Sequence, residues 1–322
     1  MMNVLTLKHA TIRYGRLTAV DGVSLELRKG ETLGLVGESG CGKSSLARAI
    51  AGLQPLAGGS LCVEDGLRAD DTGQRPVDRR SKIQLLFQDP GASLSPRMTV
   101  QSLLAEPLKI RRRHNPQNWE RIVTLARSIG LGDQLLERYP HQLSGGQARR
   151  VALVRALATE PSIIVADEPT AGLDISVQGD LLNLLRALRG PLGLSYLLIS
   201  HNLNVVGRVT DRVAVMYLGQ IVETGPTAEL FNAPAHPYTQ ALFSANLTLD
   251  SARRRERRLL KGEVPSASNP PSGCRFHKRC PVAQAVCASQ IPRLRPGQND
   301  RSVACHFPLA IASANSSQAI SG

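Results

Sequence analysis

Residues 37–44 read GESGCGKS and follow the apolar run Thr32, Leu33, Gly34, Leu35, Val36. The next stretch, SLARAIAGL, has helical spacing and stops at Gly52. Strand, glycine-rich turn and helix in that order make a phosphate-binding loop. Glycines at 37, 40 and 42 let successive backbone N–H groups face one anion at the positive end of the helix. Lys43 is then placed to reach the β and γ phosphates of a nucleotide, and the Ser44 hydroxyl to ligate Mg²⁺. The chain is therefore read as an α/β protein organised around a nucleoside triphosphate site.

Ahead of this loop, NVLTLKHATIRY and VDGVSLELRKG read as β-strands with turn glycines at 15, 22 and 30. Tyr14 either stacks on an adenine ring or is simply a strand aromatic. Between Gly58 and Lys82 a short hairpin and a loop are expected, and IQLLFQDP then predicts a strand ending at Gln88. A glutamine there can hydrogen-bond Mg²⁺-bound water or an incoming nucleophile. Residues 99–139 carry helical signals interrupted by Pro107, by the triplet Arg111 to Arg113 and by Pro116, which suggests a helical insertion into the sheet domain.

In YPHQLSGGQARRVALVRALATEP, Ser144 is a good N-cap for a helix running through Ala158. Serine and two glycines at a helix N-terminus form a second anion site. One P-loop does not need two cradles for the same nucleotide, so the second is read as serving a nucleotide held by another subunit. SIIVADEPTAGLD gives a buried parallel strand ending in Asp167 and Glu168. Side chains diverge along a strand, which sends Asp167 toward Mg²⁺ and Glu168 toward the attacking water. LSYLLISHN supplies another buried strand ending at His201, which acts as a γ-phosphate sensor only if the fold places it beside Glu168. VAVMYLGQIVETG reads as a closing hairpin.

The chain has 322 residues and a net charge of +13, with arginine runs at 111–113 and 253–258. Such a balance suits anionic partners: nucleotide, nucleic acid or an anionic membrane face. Aromatic residues are only 3%, so platforms for stacking single-stranded bases are scarce. No stretch reaches the ~20 apolar residues of a membrane span, and the N-terminus lacks a signal-peptide pattern; a cytoplasmic location is expected. Of six cysteines, Cys274, Cys280, Cys287 and Cys305 crowd the end of the chain as C-x5-C-x6-C-x17-C. Clustering of that kind points to metal. Four thiolates can hold tetrahedral zinc or a four-iron cluster, and the short C-x2 to x4-C pairs that zinc favours are not present.

Together, GESGCGKS, LSGGQ at 143–147, IIVADE at 163–168 and SH at 200–201 resemble the ATP-binding cassette ATPases over residues 3 to about 240. The resemblance implies a mixed-sheet core with an antiparallel β subdomain and a helical subdomain (about 95–160), all within residues 1–235. It also implies a dimer that sandwiches each ATP between one subunit's P-loop and the other's LSGGQ. Carried over by residue, it assigns ATP and Mg²⁺ contacts to Tyr14, Gly37, Glu38, Ser39, Gly40, Cys41, Gly42, Lys43, Ser44, Ser45, Gln88 and Asp167. Contacts to the partner's nucleotide fall to Ser144, Gly145, Gly146, Gln147 and Asp174. The catalytic set is Glu168 as base, His201 as switch histidine and Gln88 as Q-loop glutamine. Gly172 and Ala148 depart from the common pattern without removing a catalytic group.

FQDPGASLSPRMTV, HPYTQALFSA at 236–245 and GEVPSASNPPSGCRFHKRC are similar to ATP-binding subunits of dipeptide and oligopeptide importers, particularly the F type that pairs with a homologous D-type subunit. This implies an extension over 236–310, a frayed tail at 311–322, two transmembrane permeases and an extracytoplasmic substrate-binding protein. It implies no nucleic acid, and a peripheral place at the cytoplasmic face of the inner membrane. It also favours a four-iron four-sulfur (4Fe-4S) cluster over zinc in the Cys-rich, metal-binding extension. An importer for nickel, metal chelates or other small solutes is the alternative within the class. A soluble cassette ATPase acting on nucleic acid or ribosomes is the alternative outside it. HPYTQAL reads physically as a proline turn entering a helix.

Overall fold

The buried runs TLGLV, IIVAD and SYLLI lie side by side as parallel strands, as chains apolar on both faces must. A computed structural model describes residues 2–63, 67–69, 82–87, 93–246, 263 and 265–309. In chain order the strands are β1 Asn3–Tyr14, β2 Leu17–Arg28, β3 Thr32–Val36, β4 Gly58–Val63, β5 Leu67–Ala69, β6 Ile83–Leu86 and β7 Ile163–Asp167. They continue with β8 Ser195–Ile199, β9 Arg212–Tyr217, β10 Gln220–Pro226, β11 Arg295–Pro296 and β12 Ser302–Val303. The principal helices are α1 Lys43–Ile50, α2 Val100–Ile110, α3 Pro116–Ser128, α4 Gly145–Leu157, α5 Ile175–Arg189, α6 Leu203–Val209, α7 Thr227–Asn232, α8 Pro237–Asn246 and α9 Ala285–Ser289.

Two sheets form. Strands β2, β1, β4 and β5 make a four-stranded antiparallel sheet, and the core sheet has eight strands in the order β11-β12-β10-β9-β3-β8-β7-β6. Strands β9, β3, β8, β7 and β6 run parallel, so the loops after β3, β7 and β8 gather at one sheet end. Helix α1 and the inner face of the antiparallel sheet share one hydrophobic cluster with the core strands. Helices α2, α3 and α4 build a second around Leu104, Ile122 and Val154.

Two expectations, at Pro107 and Gly22, are corrected. Pro107 lies inside α2 and does not interrupt it. It forfeits one backbone hydrogen bond, and burial of Leu103, Leu104 and Leu108 holds the helix together across that gap. Pro116 does mark the expected break between helices, starting α3 behind the Asn115 N-cap, where a missing N–H costs nothing. Gly22 is not a turn; with φ at 64° it sits within β2, where the register against β1 slips between Ala10 and Ile12, a β-bulge. Gln88, the 253–258 arginine run and the 311–322 tail lie outside the described residues.

The C-terminal extension is not a loose appendage. Strands β11 and β12 add to the core sheet beside β10. Phe276, Cys274 and Cys287 share a hydrophobic cluster with Val36, Val215, Tyr217 and Tyr238. Glu223 of β10 is fully buried, and its carboxylate accepts hydrogen bonds from the N–H groups of Ala235 and His236 at 2.8 and 2.9 Å and from Arg301 Nη2 at 3.0 Å.

Candidate nucleotide site and the cysteine pocket

The P-loop is folded so tightly that side chains are excluded from two of its positions. A Cβ on Gly37 would lie 2.1 Å from the Met216 carbonyl oxygen, and one on Gly42 2.3 Å from that of Ala19. Gly42 caps α1, and Lys43, the helix's first residue, is buried. Its Nζ donates to the carbonyl oxygens of Gly37 and Glu38, both at 2.9 Å, and so is held across the mouth of the loop. Ser39 and Gly40 are exposed, Cys41 is buried, and Ser44 and Ser45 open α1. Burial pushes the Cys41 thiol up from its ordinary value, against the lowering influence of Lys43.

Burial holds the Asp167 carboxyl above the usual carboxylate range, against the lowering influence of the nearby Ser44 hydroxyl. Its Oδ1 is buried without a partner among the described residues. An orphaned carboxylate oxygen beside a serine hydroxyl is a donor set that fits Mg²⁺, which takes few protein oxygens. Glu168 then leaves the strand altogether: its φ is +52°, a conformation uncommon outside glycine. Its divergence from Asp167 therefore comes from this reversal rather than from strand alternation. The Glu168 N–H donates to the Ile199 carbonyl at 2.9 Å. Its carboxylate meets His201 twice, accepting from the backbone N–H at 3.1 Å and standing 2.8 Å from Nδ1. The placement required of His201 is thus met.

Ser144 caps α4, accepting from Gln147 N at 3.2 Å while Gln147 Oε1 accepts from Ser144 N at 2.9 Å. Gly145 and Gly146 have open space around them. Arg149, one turn on, donates to the Ala171 carbonyl at 2.9 Å and ties this helix to the loop after Glu168. Asp174 caps α5, accepting from Val177 N at 2.9 Å and Ser176 Oγ at 2.7 Å. Those donors hold its carboxyl below the usual range. Tyr14 ends β1 on the antiparallel sheet and is exposed.

Cys274, Cys280, Cys287 and Cys305 line one small cavity together with His236 and Phe276. The backbone N–H groups of Phe276, Val282 and Phe307 act to lower the Cys274, Cys280 and Cys305 thiols. Burial nonetheless pushes the Cys305 thiol up to about 11. Among the described residues no three His, Cys, Asp or Glu groups close on one point as ligands of a single ion. The expected metal-binding extension is therefore not established by the geometry of these thiols. The sequence reading missed Tyr238, Arg275, Arg279 and Arg301, which link this segment to the sheet; Tyr238 lay in the HPYTQAL marker and Arg275 and Arg279 in GCRFHKRC, but only as family resemblance.

A P-loop on a parallel strand, a carboxylate pair on the next strand but one, a histidine paired to the second carboxylate and a serine-glycine helix cap define a cassette-type ATPase. The ABC transporter family profile matches residues 20–171, and that of the oligopeptide/dipeptide transporter C-terminal region residues 222–287. The oligopeptide transport ATP-binding protein AppF of Bacillus subtilis is 44% identical over 92% of this chain and 91% of its own length. The dipeptide transport ATP-binding protein DppF of Haemophilus influenzae is 43% identical over 90% and 89%. Among solved structures, cbiO1 of Clostridium perfringens, part of an ABC transporter complex, superposes with a TM-score of 0.66 at 25% identity, covering 72% of this chain and 92% of that one. The chain belongs to the ATP-binding cassette transporter family, in the branch that carries the oligopeptide/dipeptide C-terminal region.

Proposed function

We propose that this chain is the ATP-hydrolysing subunit of an importer for dipeptides or oligopeptides. The match of residues 222–287 to the oligopeptide/dipeptide transporter C-terminal region carries the reading, because the catalytic cassette alone is common to many solutes. Among the described residues no helix is long and apolar enough to cross a membrane. The translocation path accordingly belongs to two permease subunits, fed by an extracytoplasmic substrate-binding protein, with this chain peripheral at the cytoplasmic face of the inner membrane. The ATPase domain is assigned to residues 1–235 and the extension to 236–310.

In this reading the backbone of residues 37–45 cradles the phosphates, Lys43 neutralises the β and γ groups, and Ser44 and Asp167 hold Mg²⁺. Tyr14 stacks on the adenine. Glu168 takes the proton of the attacking water while His201, its hydrogen-bonded neighbour, reads the γ-phosphate. Gln88 carries the state of the site toward the permeases. Ser144, Gly145, Gly146, Gln147 and Asp174 address the nucleotide of a homologous D-type subunit, and closure of that heterodimer drives transport.

We assign a 4Fe-4S cluster to Cys274, Cys280, Cys287 and Cys305. One observation supports it: the four thiols line one cavity, together with His236. His236 Nδ1 accepts from Tyr238 N at 3.0 Å, so Nε2 carries the hydrogen, and that buried atom has no partner among the described residues. When bound, the cluster would cross-link a segment poor in apolar residues.

The test is uptake of labelled dipeptide and of nickel in cells lacking this chain, complemented with wild type or Glu168→Gln. Dipeptide uptake restored only by wild type supports both the importer and the base. Loss of nickel uptake alone, or rescue by Glu168→Gln, refutes one or the other.

A further inference from the structure

Glu38 is the second residue of the P-loop, and all three of its polar groups are held. Its N–H donates to Tyr238 Oη at 2.9 Å and its carbonyl accepts from Lys43 Nζ at 2.9 Å. Its carboxylate is gripped by Arg279 in a fork, Nη1 to Oε2 at 2.8 Å and Nη2 to Oε1 at 3.0 Å. Tyr238 comes from the HPYTQAL segment and Arg279 from the cysteine-rich extension, 200 and 241 residues away in sequence.

These contacts are shielded from water. The Arg279 side chain is 6% exposed and that of Glu38 22%, so salt screens the pair little. A bidentate guanidinium–carboxylate pair also fixes direction as well as distance. Arg279 is itself seated on Tyr217, with its guanidinium carbon 5.9 Å from the ring centroid. Tyr217, Tyr238 and Phe276 pack ring against ring with centroids 4.6, 5.3 and 5.4 Å apart. From the same loop as Arg279, Arg275 donates to the Leu218 carbonyl and the Asp21 carboxylate. The adjoining Gly219 N–H donates to the Cys41 carbonyl at 2.8 Å. The P-loop is thus braced from outside by two segments that contain none of its own motif.

We propose that Tyr238 and Arg279 are positioning residues for nucleotide binding: by holding Glu38 they fix the Gly37 and Glu38 carbonyls, which accept from Lys43 Nζ and so hold its ammonium at the phosphate cradle. The inference rests on the ATP-site reading above. A P-loop free to move must be ordered when the nucleotide arrives, and that entropy is subtracted from affinity. Glu168 and His201 sit at the ends of other strands and are not touched by the brace, so the effect falls on binding and not on the hydrolytic step.

The experiment uses the full-length chain, titrated with a fluorescent ATP analogue and assayed for phosphate release. Arg279→Ala is expected to raise both Kd and KM about tenfold with kcat within about twofold of wild type, and Arg279→Lys, which keeps charge but loses the fork, to fall between. Glu38→Ala placed in the Arg279→Ala background adds no further loss, because the two act as a unit. Should Arg279→Ala fail to fold, Arg279→Lys and Tyr238→Phe decide the matter. Without nucleotide, Tyr238→Phe removes the acceptor of the Glu38 N–H and speeds hydrogen exchange at that amide. Unchanged affinity, a fall in kcat at constant KM, additive losses in the double variant, or unchanged exchange at Glu38 would each overturn the proposal. Wild type that binds no ATP would instead overturn the function proposed above, and the exchange measurement would still judge the brace.

Discussion

Arg301→Ala leaves the Glu223 carboxylate buried with no countercharge. In the native protein that side chain is 1% exposed and Arg301 7%. Arg301 further donates to the Ala233 carbonyl at 2.6 Å, so the guanidinium closes the segment between β10 and α8 from both sides. Removing one partner of a buried pair costs about 3–5 kcal/mol, because the remaining charge keeps its desolvation penalty and loses its attraction. The two backbone N–H groups that still bind Glu223 soften this, and about 3 kcal/mol is the figure to expect. For a domain of this size that is a fall in Tm of roughly 6 to 12 °C. Unfolding in urea followed by far-UV circular dichroism measures it. Trp119, the chain's only tryptophan, packs on the helical cluster, so its fluorescence reports that layer and tests whether the two unfold together. Glu223→Gln with Arg301→Met removes both charges and should recover about half of the loss. A loss below about 1 kcal/mol for Arg301→Ala, the range of a solvated surface pair, would refute the reasoning, as would a double variant no better than the single.

Glu168→Gln should lower kcat by about 10²- to 10⁴-fold with ATP binding kept, as read by phosphate release against nucleotide titration. Gly37→Ala should abolish ATP binding in the same titration, since its Cβ would stand 2.1 Å from the Met216 carbonyl oxygen. Cys274→Ser or Cys287→Ser should cost the protein iron and acid-labile sulfide and lower its Tm, whereas Cys62→Ser, on β4 of the antiparallel sheet, should change neither; zinc in place of iron would overturn the cluster assignment.

What could be read from the chain beforehand was whatever depends on neighbours in sequence. The P-loop, the Ser144 cap and the buried strands before Asp167 and His201 are local arrangements, and each formed as its residues dictate. Three features depended on partners far along the chain and were not legible. Pro107 stays within a helix because leucines on its apolar side are buried by α4 and its neighbours. Gly22 serves a bulge whose existence depends on the register of β1 against β2, and the adjacent Asp21 is thereby turned toward Gly219 and Arg275. HPYTQAL read as a proline turn entering a helix, which α8 is. Its His236 and Tyr238, however, act on the cysteine pocket and on Glu38, across contacts that no periodicity encodes.

The distance along the chain between Glu38 and Arg279 also sets an order of events during synthesis. The P-loop leaves the ribosome with β3 and α1, yet the arginine that grips it follows 241 residues later. At about 5–20 residues per second that is an interval on the order of 10 to 50 s. Through that interval the nascent cassette already contains the whole GESGCGKS sequence but lacks the far half of its support. A chain that terminates early, anywhere before the extension, is left in that state, with its phosphate loop complete in sequence and unbraced in structure. The end of the chain thus decides whether its beginning is finished.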